Sequence, residues 1–167
     1  MSLLIVGLAL EVTLELIPLL IGQSDEVRIV ESNPSQIERW RSLGAQVARG
    51  VPDDDDLIER AAQNVRTLVV GDDAKLETLE GARRAGVGRV VCLGRSFDSH
   101  QIGNQIDEYV ILRMSGKRRL GGKGKLSAPD AARLIDAADD LAGDVKLDLV
   151  VGDASTWTRL GLEDPTS

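Results

Sequence analysis

Short runs of aliphatic and β-branched residues alternate with stretches of helical hydrophobic spacing along most of the chain. The first kind predicts strands over residues 3–6, 27–30, 46–48, 67–70, 89–93, 108–114 and 146–151. The second kind predicts helices over residues 10–21, 34–43, 53–63, 74–85 and 126–143. Such alternation is typical of βαβ units. We therefore predict a doubly wound α/β fold with a mainly parallel sheet in the strand order 3-2-1-4-5-6-7.

The amino-acid composition favours this fold and a single domain. Of the 167 residues, 43% are hydrophobic but only 2% are aromatic, so the core must consist mainly of Val, Leu, Ile and Ala. Aliphatic strands of this kind are typical of a parallel sheet that helices cover on both faces. We predict one domain over residues 1–160, followed by a frayed tail at residues 161–167.

Cysteine usage and the N-terminal sequence indicate the compartment. The chain has a single cysteine, Cys92, and no Cys/His set with metal-ligand spacing, so we predict no metal site and a reducing, cytoplasmic location. Glu11, Glu15 and Pro18 interrupt the apolar N-terminal stretch, which we interpret as a strand and a helix rather than a membrane segment. The acidic run at residues 53–56 predicts a helix cap with acids in the first turn.

Five segments, in their order along the chain, carry a resemblance to a known family. They read VRIVESNPSQIERWRSLGAQVARG, DDLIERAAQNVRTLVVG, GARRAGVGRVVCLG, YVILRMSG and GKLSAPDAARLIDAADD. Together they resemble the atypical short-chain dehydrogenase/reductases, the group of NAD(P)-binding NmrA-like proteins, over nearly the whole chain. The nucleotide-binding domains that regulate potassium channels share the first half and are the nearest alternative. The resemblance implies a Rossmann-like fold and a nucleotide site at the first turn.

The first turn differs from the glycine-rich turn that the resemblance implies. In that turn, glycines let backbone N–H groups approach the pyrophosphate and let the first helix pack tightly on its strand. Gly7 keeps the first glycine. The later glycines are replaced by Ala9 or Leu10 and by Val12 or Thr13, depending on the spacing used. Glu11 adds a negative charge at the helix N-terminus, which otherwise attracts phosphate.

Other positions of the implied cofactor site are partly kept. Glu31 ends the second strand, where the family places an acid for the ribose hydroxyls, and a carboxylate there would favour NAD over NADP. Gly50 and Val51 stand where the family usually carries an Asp near the adenine. The candidate cofactor-binding residues are Gly7, Ala9, Leu10, Glu31 and Gly71. We expect no cofactor, or weak NAD(P) binding.

The resemblance also implies catalytic residues that this chain lacks. Short-chain dehydrogenases use a Tyr and a Lys four residues later, on the helix after the fifth strand. Here the connection GRSFDSHQIGNQIDE is too short for that helix and contains neither residue. His100 and Cys92 have no acid-base partner placed by spacing. We predict no catalytic residues and a non-catalytic binding, interaction or regulatory module; the alternative is an NAD(P)-dependent oxidoreductase of NmrA-like type.

Two further features concern partners. Loss of the helix after the fifth strand should expose apolar surface around Val110 and Leu112, so we expect a homodimer or a protein partner. A basic loop stands out in a chain of net charge −7, and its cations are Arg113, Lys117, Arg118, Arg119, Lys123 and Lys125. This loop would suit an anionic ligand or an acidic partner. The acidic chain and the absence of aromatic residues in the loop disfavour nucleic acid.

Overall fold

The computed structural model describes residues 2–114, 126–151 and 154–163. In these residues one parallel sheet has the strand order β3-β2-β1-β4-β5-β6-β7, which confirms the predicted fold class and order. Its strands are β1 (Ser2–Val6), β2 (Glu26–Glu31), β3 (Gln46–Arg49), β4 (Thr67–Val70), β5 (Arg89–Leu93), β6 (Glu108–Arg113) and β7 (Lys146–Val150).

Helices connect the strands throughout the described ranges. They are α1 (Leu10–Gly22), α2 (Pro34–Ser42), α3 (Asp55–Ala61), α4 (Leu76–Arg84), α5 (Ser99–Gly103), α6 (Ala128–Asp140) and α7 (Ala154–Arg159). The sequence analysis did not predict α5 or α7, which are too short for a clear hydrophobic period. Asp98 starts α5 by accepting a hydrogen bond from the backbone N–H of Gln101.

Helices cover both faces of the sheet. Helix α1 packs against α6, and α2 and α7 complete the cover of that face. Helices α3, α4 and α5 pack on the opposite face. In β1, Leu3 and Ile5 join the first core and Leu4 and Val6 join the second, and all four are fully buried. This two-sided burial explains why the strands are continuous aliphatic runs.

The prediction of exposed apolar surface around Val110 and Leu112 is wrong. Both side chains are fully buried in the core that also contains Leu134 of α6 and Trp157 of α7. Successive strand residues point to opposite faces, so the face of α5 is lined by Ile111 instead. Ile111 is buried in a core with Ile102 of α5 and with Phe97 and Ile106, which flank that helix. The expected homodimer or protein partner therefore stays a prediction, without support from this surface.

Polar side chains cap the N-termini of α2 and α3. The side chain of Asn33 accepts a hydrogen bond from the Ser35 N–H before α2, and that of Asp54 accepts one from the Leu57 N–H before α3. The acidic run at residues 53–56 is thus a helix cap, as predicted. Within the described ranges, no helix is long and apolar enough to cross a membrane.

The C-terminal residues that are described continue beyond α7. The backbone N–H of Gly161 donates to the carbonyl of Thr158, and that of Leu162 donates to the carbonyl of Trp157. The side chain of Leu162 packs against the first core. Residues 164–167 of the predicted frayed tail lie outside the described residues.

Candidate functional site

A pocket of about 340 Å³ opens at the carboxyl edge of the sheet. Four segments form its walls: the turn from β1 to α1, the end of β2 with the start of α2, the loop after β3, and the loop after β4. Strands β1 and β4 are neighbours, but the chain leaves them in opposite directions across the sheet. Ligands of doubly wound folds bind at such a switch point, so this is the candidate site.

Two of the candidate glycines hold the walls of the pocket together. Gly7 has a φ of +67°, and a Cβ there would collide with the backbone of Asp73 and Ala74. A Cβ on Gly71 would stand 2.6 Å from the Cα of Leu8. The Asp73 N–H donates a 3.1 Å hydrogen bond to the Gly7 carbonyl. Gly7 lines the pocket, whereas Gly71 packs behind it, so both glycines are needed for the loops to meet.

Helix α1 points its N-terminus at the pocket. Its N-cap residue is Ala9, which has no side-chain oxygen to accept hydrogen bonds from the first turn. Leu10, the first helical residue, lines the pocket with its side chain 40% exposed, and the exposed Glu11 follows it. Thr13 is buried, and its hydroxyl donates a 2.9 Å hydrogen bond to the Ala9 carbonyl. Leu10 and Glu11 therefore stand where an anion would approach this helix.

Glu31 lies in the pocket wall at the end of β2, as predicted from its place in the sequence. Its carboxylate accepts hydrogen bonds from the Trp40 Nε1–H at 2.9 Å, the Ser32 N–H at 3.0 Å and the Asn33 N–H at 3.2 Å. These bonds tie β2 to α2 and use most of the carboxylate's acceptor capacity of about four lone pairs. Glu31 thus has a structural role, which is to link β2 to α2. Its binding to a ribose stays a prediction.

The polar residues of the pocket that were not predicted from the sequence include Gln36 and Asp73. The Gln36 Oε1 atom is buried and has no hydrogen-bond partner. Asp73 is exposed, and its carboxylate forms no ion pair within the described residues. Asp73 follows β4 at the same edge of the sheet where Glu31 ends β2. This position after a strand would have been enough to predict Asp73 from the sequence. The orientation of Gln36 depends on how α2 packs, which the sequence does not reveal.

Exposed aliphatic side chains lie in the pocket wall, at Leu10, and on the segments next to it, at Val51 and Leu76. Leu10, Val51 and Leu76 are 40%, 44% and 50% exposed, and they are three of the four large hydrophobic residues that are exposed in the described ranges. The Thr78 hydroxyl donates a 2.6 Å hydrogen bond to the carbonyl of Pro52, which lines the pocket. That bond places the start of α4 beside the loop after β3. We call Leu10, Val51 and Leu76 the apolar rim.

Three side chains of β5 and the connection after it could carry chemistry: Cys92, Ser96 and His100. Burial raises the pKa of the Cys92 thiol to about 12, so this cysteine stays protonated at neutral pH. The Ser96 hydroxyl donates a 2.9 Å hydrogen bond to the Gly71 carbonyl. The exposed His100 ring lies 3.3 Å from the side-chain nitrogen of Asn104. The Ser96 Oγ atom also lies 3.4 Å from the Asp72 carboxylate, whereas the hydrogen bonds of the described residues give Cys92 and His100 no charged side-chain partner.

Only the first cation of the predicted basic loop lies in the described part of the chain. Arg113 ends β6 and donates two hydrogen bonds to the Asp148 carboxylate of β7, at 2.7 Å and 2.9 Å, which raise the pKa of the guanidinium. Its charge is therefore balanced within the sheet. The other candidates lie outside the described residues: Lys117, Arg118, Arg119, Lys123 and Lys125. An anion or partner site on this loop stays a prediction.

Solved structures with the same fold include several reductases, whereas no family model and no curated protein matches the chain. ChuY, an anaerobillin reductase from Escherichia coli O157:H7, has a TM-score of 0.70 and 14% identity over 90% of this chain and 96% of its own. A triphenylmethane reductase from Citrobacter sp. in complex with NADP(H) gives 0.69 and 14% over 89% and 68%. A short-chain dehydrogenase/reductase from Veillonella parvula gives 0.67 and 14% over 93% and 95%. The chain therefore has the Rossmann-like fold of the short-chain dehydrogenase/reductases, as its sequence resemblance implies.

Proposed function

We propose that this protein is a non-catalytic binding or regulatory module that uses the pocket at the carboxyl edge of β1 and β2, and that it binds NAD(P) weakly. The observation that carries the proposal is the composition of the pocket wall. Leu10 lies over the N-terminus of α1, and the wall contains two carboxylates, those of Glu31 and Asp73, but no Lys, Arg or His.

This wall does not suit a pyrophosphate. A helix N-terminus carries roughly half a positive elementary charge and is worth about 0.3–1 kcal/mol to a nearby anion. Glu11 in the first turn of α1 opposes that attraction, and Glu31 and Asp73 add repulsion from two sides. The Leu10 side chain also separates a ligand from the backbone N–H groups that would hold its phosphates. Both the charge and the shape of the site therefore weaken binding of a dinucleotide.

The second part of the proposal is the absence of catalysis by the protein's own groups. At the carboxyl edge, the Ser96 hydroxyl lies 2.9 Å from the Gly71 carbonyl and 3.4 Å from the Asp72 carboxylate, and the Cys92 thiol is buried with a raised pKa. Neither is placed as a general acid with a partner that lowers its pKa. We propose a cytoplasmic module that acts through a bound ligand and through a second copy of the chain or another protein.

An NAD(P)-dependent oxidoreductase is the second candidate. It is favoured by the match with ChuY, an anaerobillin reductase, over 96% of that chain, and by the triphenylmethane reductase that was solved with NADP(H). In such an enzyme the cofactor would supply the redox chemistry and the protein would supply binding and orientation. A small-molecule substrate would then lie over the carboxyl edge of the sheet.

Titration calorimetry with NAD, NADH, NADP and NADPH separates the two candidates. The proposal predicts dissociation constants weaker than about 1 mM, which corresponds to less than about 4 kcal/mol of binding free energy. Micromolar binding of any of the four would move the oxidoreductase to first place. Oxidation of NADH or NADPH in the presence of an electron acceptor would do the same.

A further inference from the structure

We infer that the pocket selects a small organic cation, an amine carried on an apolar body and without phosphate groups. The inference rests on the proposed function, because it names the ligand class of the same pocket. Three independent features support it: the uncompensated negative charge of the wall, an unpaired buried acceptor, and the apolar rim.

The charge of the wall is negative on balance. Two cations lie beside these carboxylates in register or sequence: Arg49, which pairs in register with Glu31, and Lys75, two residues after Asp73. Neither forms an ion pair with these carboxylates in the described ranges. The positive ends of α1 and α2, which both lie at the pocket, contribute about half a charge each against two full negative charges. A cation in the pocket would therefore be attracted at short range, where the surrounding protein screens less than water.

The polar side chains of the wall require donors from a ligand. The Gln36 Oε1 atom is buried without a partner, and leaving such an acceptor unpaired costs free energy that a ligand donor would recover. Glu31 has about one lone pair left, and Asp73 has its full acceptor capacity. An ammonium group carries three donors and no acceptor, so it complements these three residues.

The rest of the surface suits an apolar body of limited size. Leu8, Ile29, Val30 and Pro52 contribute aliphatic surface to the walls together with Leu10 of the apolar rim, whose other members, Val51 and Leu76, lie on the adjoining segments. Exposed aliphatic side chains that gather around a cavity are typical of ligand-binding sites. A volume of about 340 Å³ is near the lower end for small-molecule pockets, which favours a ring system with a short side chain over a dinucleotide.

Three probes of nearly equal shape but different charge test the inference. Tryptamine carries an ammonium at neutral pH, tryptophol carries a hydroxyl at the same place, and indole-3-acetate carries a carboxylate. We expect calorimetry or NMR titration to show tryptamine binding at least tenfold more tightly than tryptophol, with indole-3-acetate the weakest. Equal binding of tryptamine and tryptophol, tighter binding of the acid, or no tryptamine binding up to about 10 mM would overturn the inference.

Variants then locate the effect. Asp73→Asn removes a charge from the pocket and should weaken tryptamine at least threefold while leaving tryptophol nearly unchanged. Gln36→Leu removes the unpaired acceptor and should also weaken tryptamine at least threefold, with a smaller loss for tryptophol, whose hydroxyl is a neutral donor. Glu15→Gln is the matched control, because Glu15 is exposed on α1 outside the pocket and the charge change is the same. An effect of Glu15→Gln as large as that of Asp73→Asn would overturn the assignment of the site.

The outcomes for the ligand and for the proposed function are distinguishable. If NAD(P) binds in the micromolar range or supports turnover, the proposed function fails, whatever the amines do. If NAD(P) binding is weak and tryptamine has no advantage over tryptophol, only the inference fails. Weak NAD(P) binding together with a preference for tryptamine that Asp73→Asn removes would support both.

Discussion

The start of α1 can be changed toward the glycine-rich turn that the sequence resemblance implies, by the double variant Leu10→Gly and Glu11→Gln. Leu10 is 40% exposed, so its removal sacrifices little packing, and a glycine at a helix start should cost at most about 1 kcal/mol of stability. Leu10 lines the pocket and Glu11 is exposed to solvent, so neither side chain belongs to the core. The variant should therefore fold and change the binding site alone.

The expected gain in NAD binding follows from two contributions. Removing the Glu11 charge relieves a repulsion of about 0.3–1 kcal/mol at the helix N-terminus. Removing the Leu10 side chain lets a backbone N–H reach a phosphate oxygen, and a hydrogen bond to a charged group is worth about 1.5–3 kcal/mol. The sum is about 2 kcal/mol at its lower end, or about a 30-fold gain in affinity. The family resemblance implies that Glu31, which lines the pocket, lies beside the ribose, so we expect NAD to gain more than NADP.

Helix α4 offers a matched control for this experiment. It also begins with a Leu and a Glu, Leu76 and Glu77, and Leu76 belongs to the apolar rim but not to the pocket wall, so its replacement changes the same residue types without uncovering the N-terminus of α1. Calorimetry should show no gain in NAD affinity for Leu76→Gly with Glu77→Gln. The reasoning is refuted if the α1 variant folds but gains nothing, if the α4 variant gains as much, or if the unmodified protein already binds NAD in the micromolar range.

Three further predictions concern the framework of the site. Gly71→Ala should lower the free energy of unfolding, measured in urea, by about 1–3 kcal/mol, because its Cβ would meet the backbone of Gly7 and Leu8. The control is Gly22→Ala, where a Cβ meets nothing within 4 Å. Equal effects of the two substitutions would contradict the reasoning. Burial raises the pKa of the Asp139 carboxyl above its unfolded value, so its contribution to stability is present in acid and is lost as the pH rises through the folded pKa. Urea unfolding between about pH 3 and 7 should show this component in the native protein but not in Asp139→Asn, and an identical pH profile would count against it. Cys92, with a thiol pKa of about 12, should react with Ellman's reagent at pH 8 only after unfolding, so rapid labelling of the folded protein would show that the strand opens.

Much of the fold could be predicted because its signals are local. The predicted bounds of β4 (Thr67–Val70) and β5 (Arg89–Leu93) are those of the structure, since buried aliphatic runs end abruptly at polar or glycine residues. Helix α5 was missed because five residues do not show a helical period. The error about Val110 and Leu112 has a different cause. The short connection after β5 indicates that a helix is missing there, but it does not indicate which face of the sheet is affected. The face to which each side chain of β6 points depends on the register of the strand in the sheet.

The site was predictable in position but not in orientation. Glu31 was expected at the carboxyl edge because it ends a strand, and it lies there. Its hydrogen bond with the Trp40 indole joins residues that are nine positions apart and depends on the packing of α2. The unpaired Gln36 oxygen has the same origin. Strand ends indicate where polar groups gather, whereas tertiary packing determines which of their atoms stay available to a ligand.

The three positions of the first turn separate what the fold requires from what a phosphate requires. Gly7 is fixed by the fold, because its positive φ and its contact with the backbone of Ala74 exclude a side chain whether or not a ligand binds. At the third position, counting from Gly7 to Leu10 to Thr13, a side chain is tolerated because the Thr13 hydroxyl bonds to the Ala9 carbonyl within the helix. Gly7, Leu10 and Thr13 all line the pocket, but Thr13 is buried and Leu10 is exposed, so at Leu10 a glycine serves an incoming phosphate rather than the packing. The chain thus keeps the glycine that the fold needs and replaces the one that only a phosphate would need. Drift under selection for the fold alone, or for a ligand without phosphate, would leave this pattern.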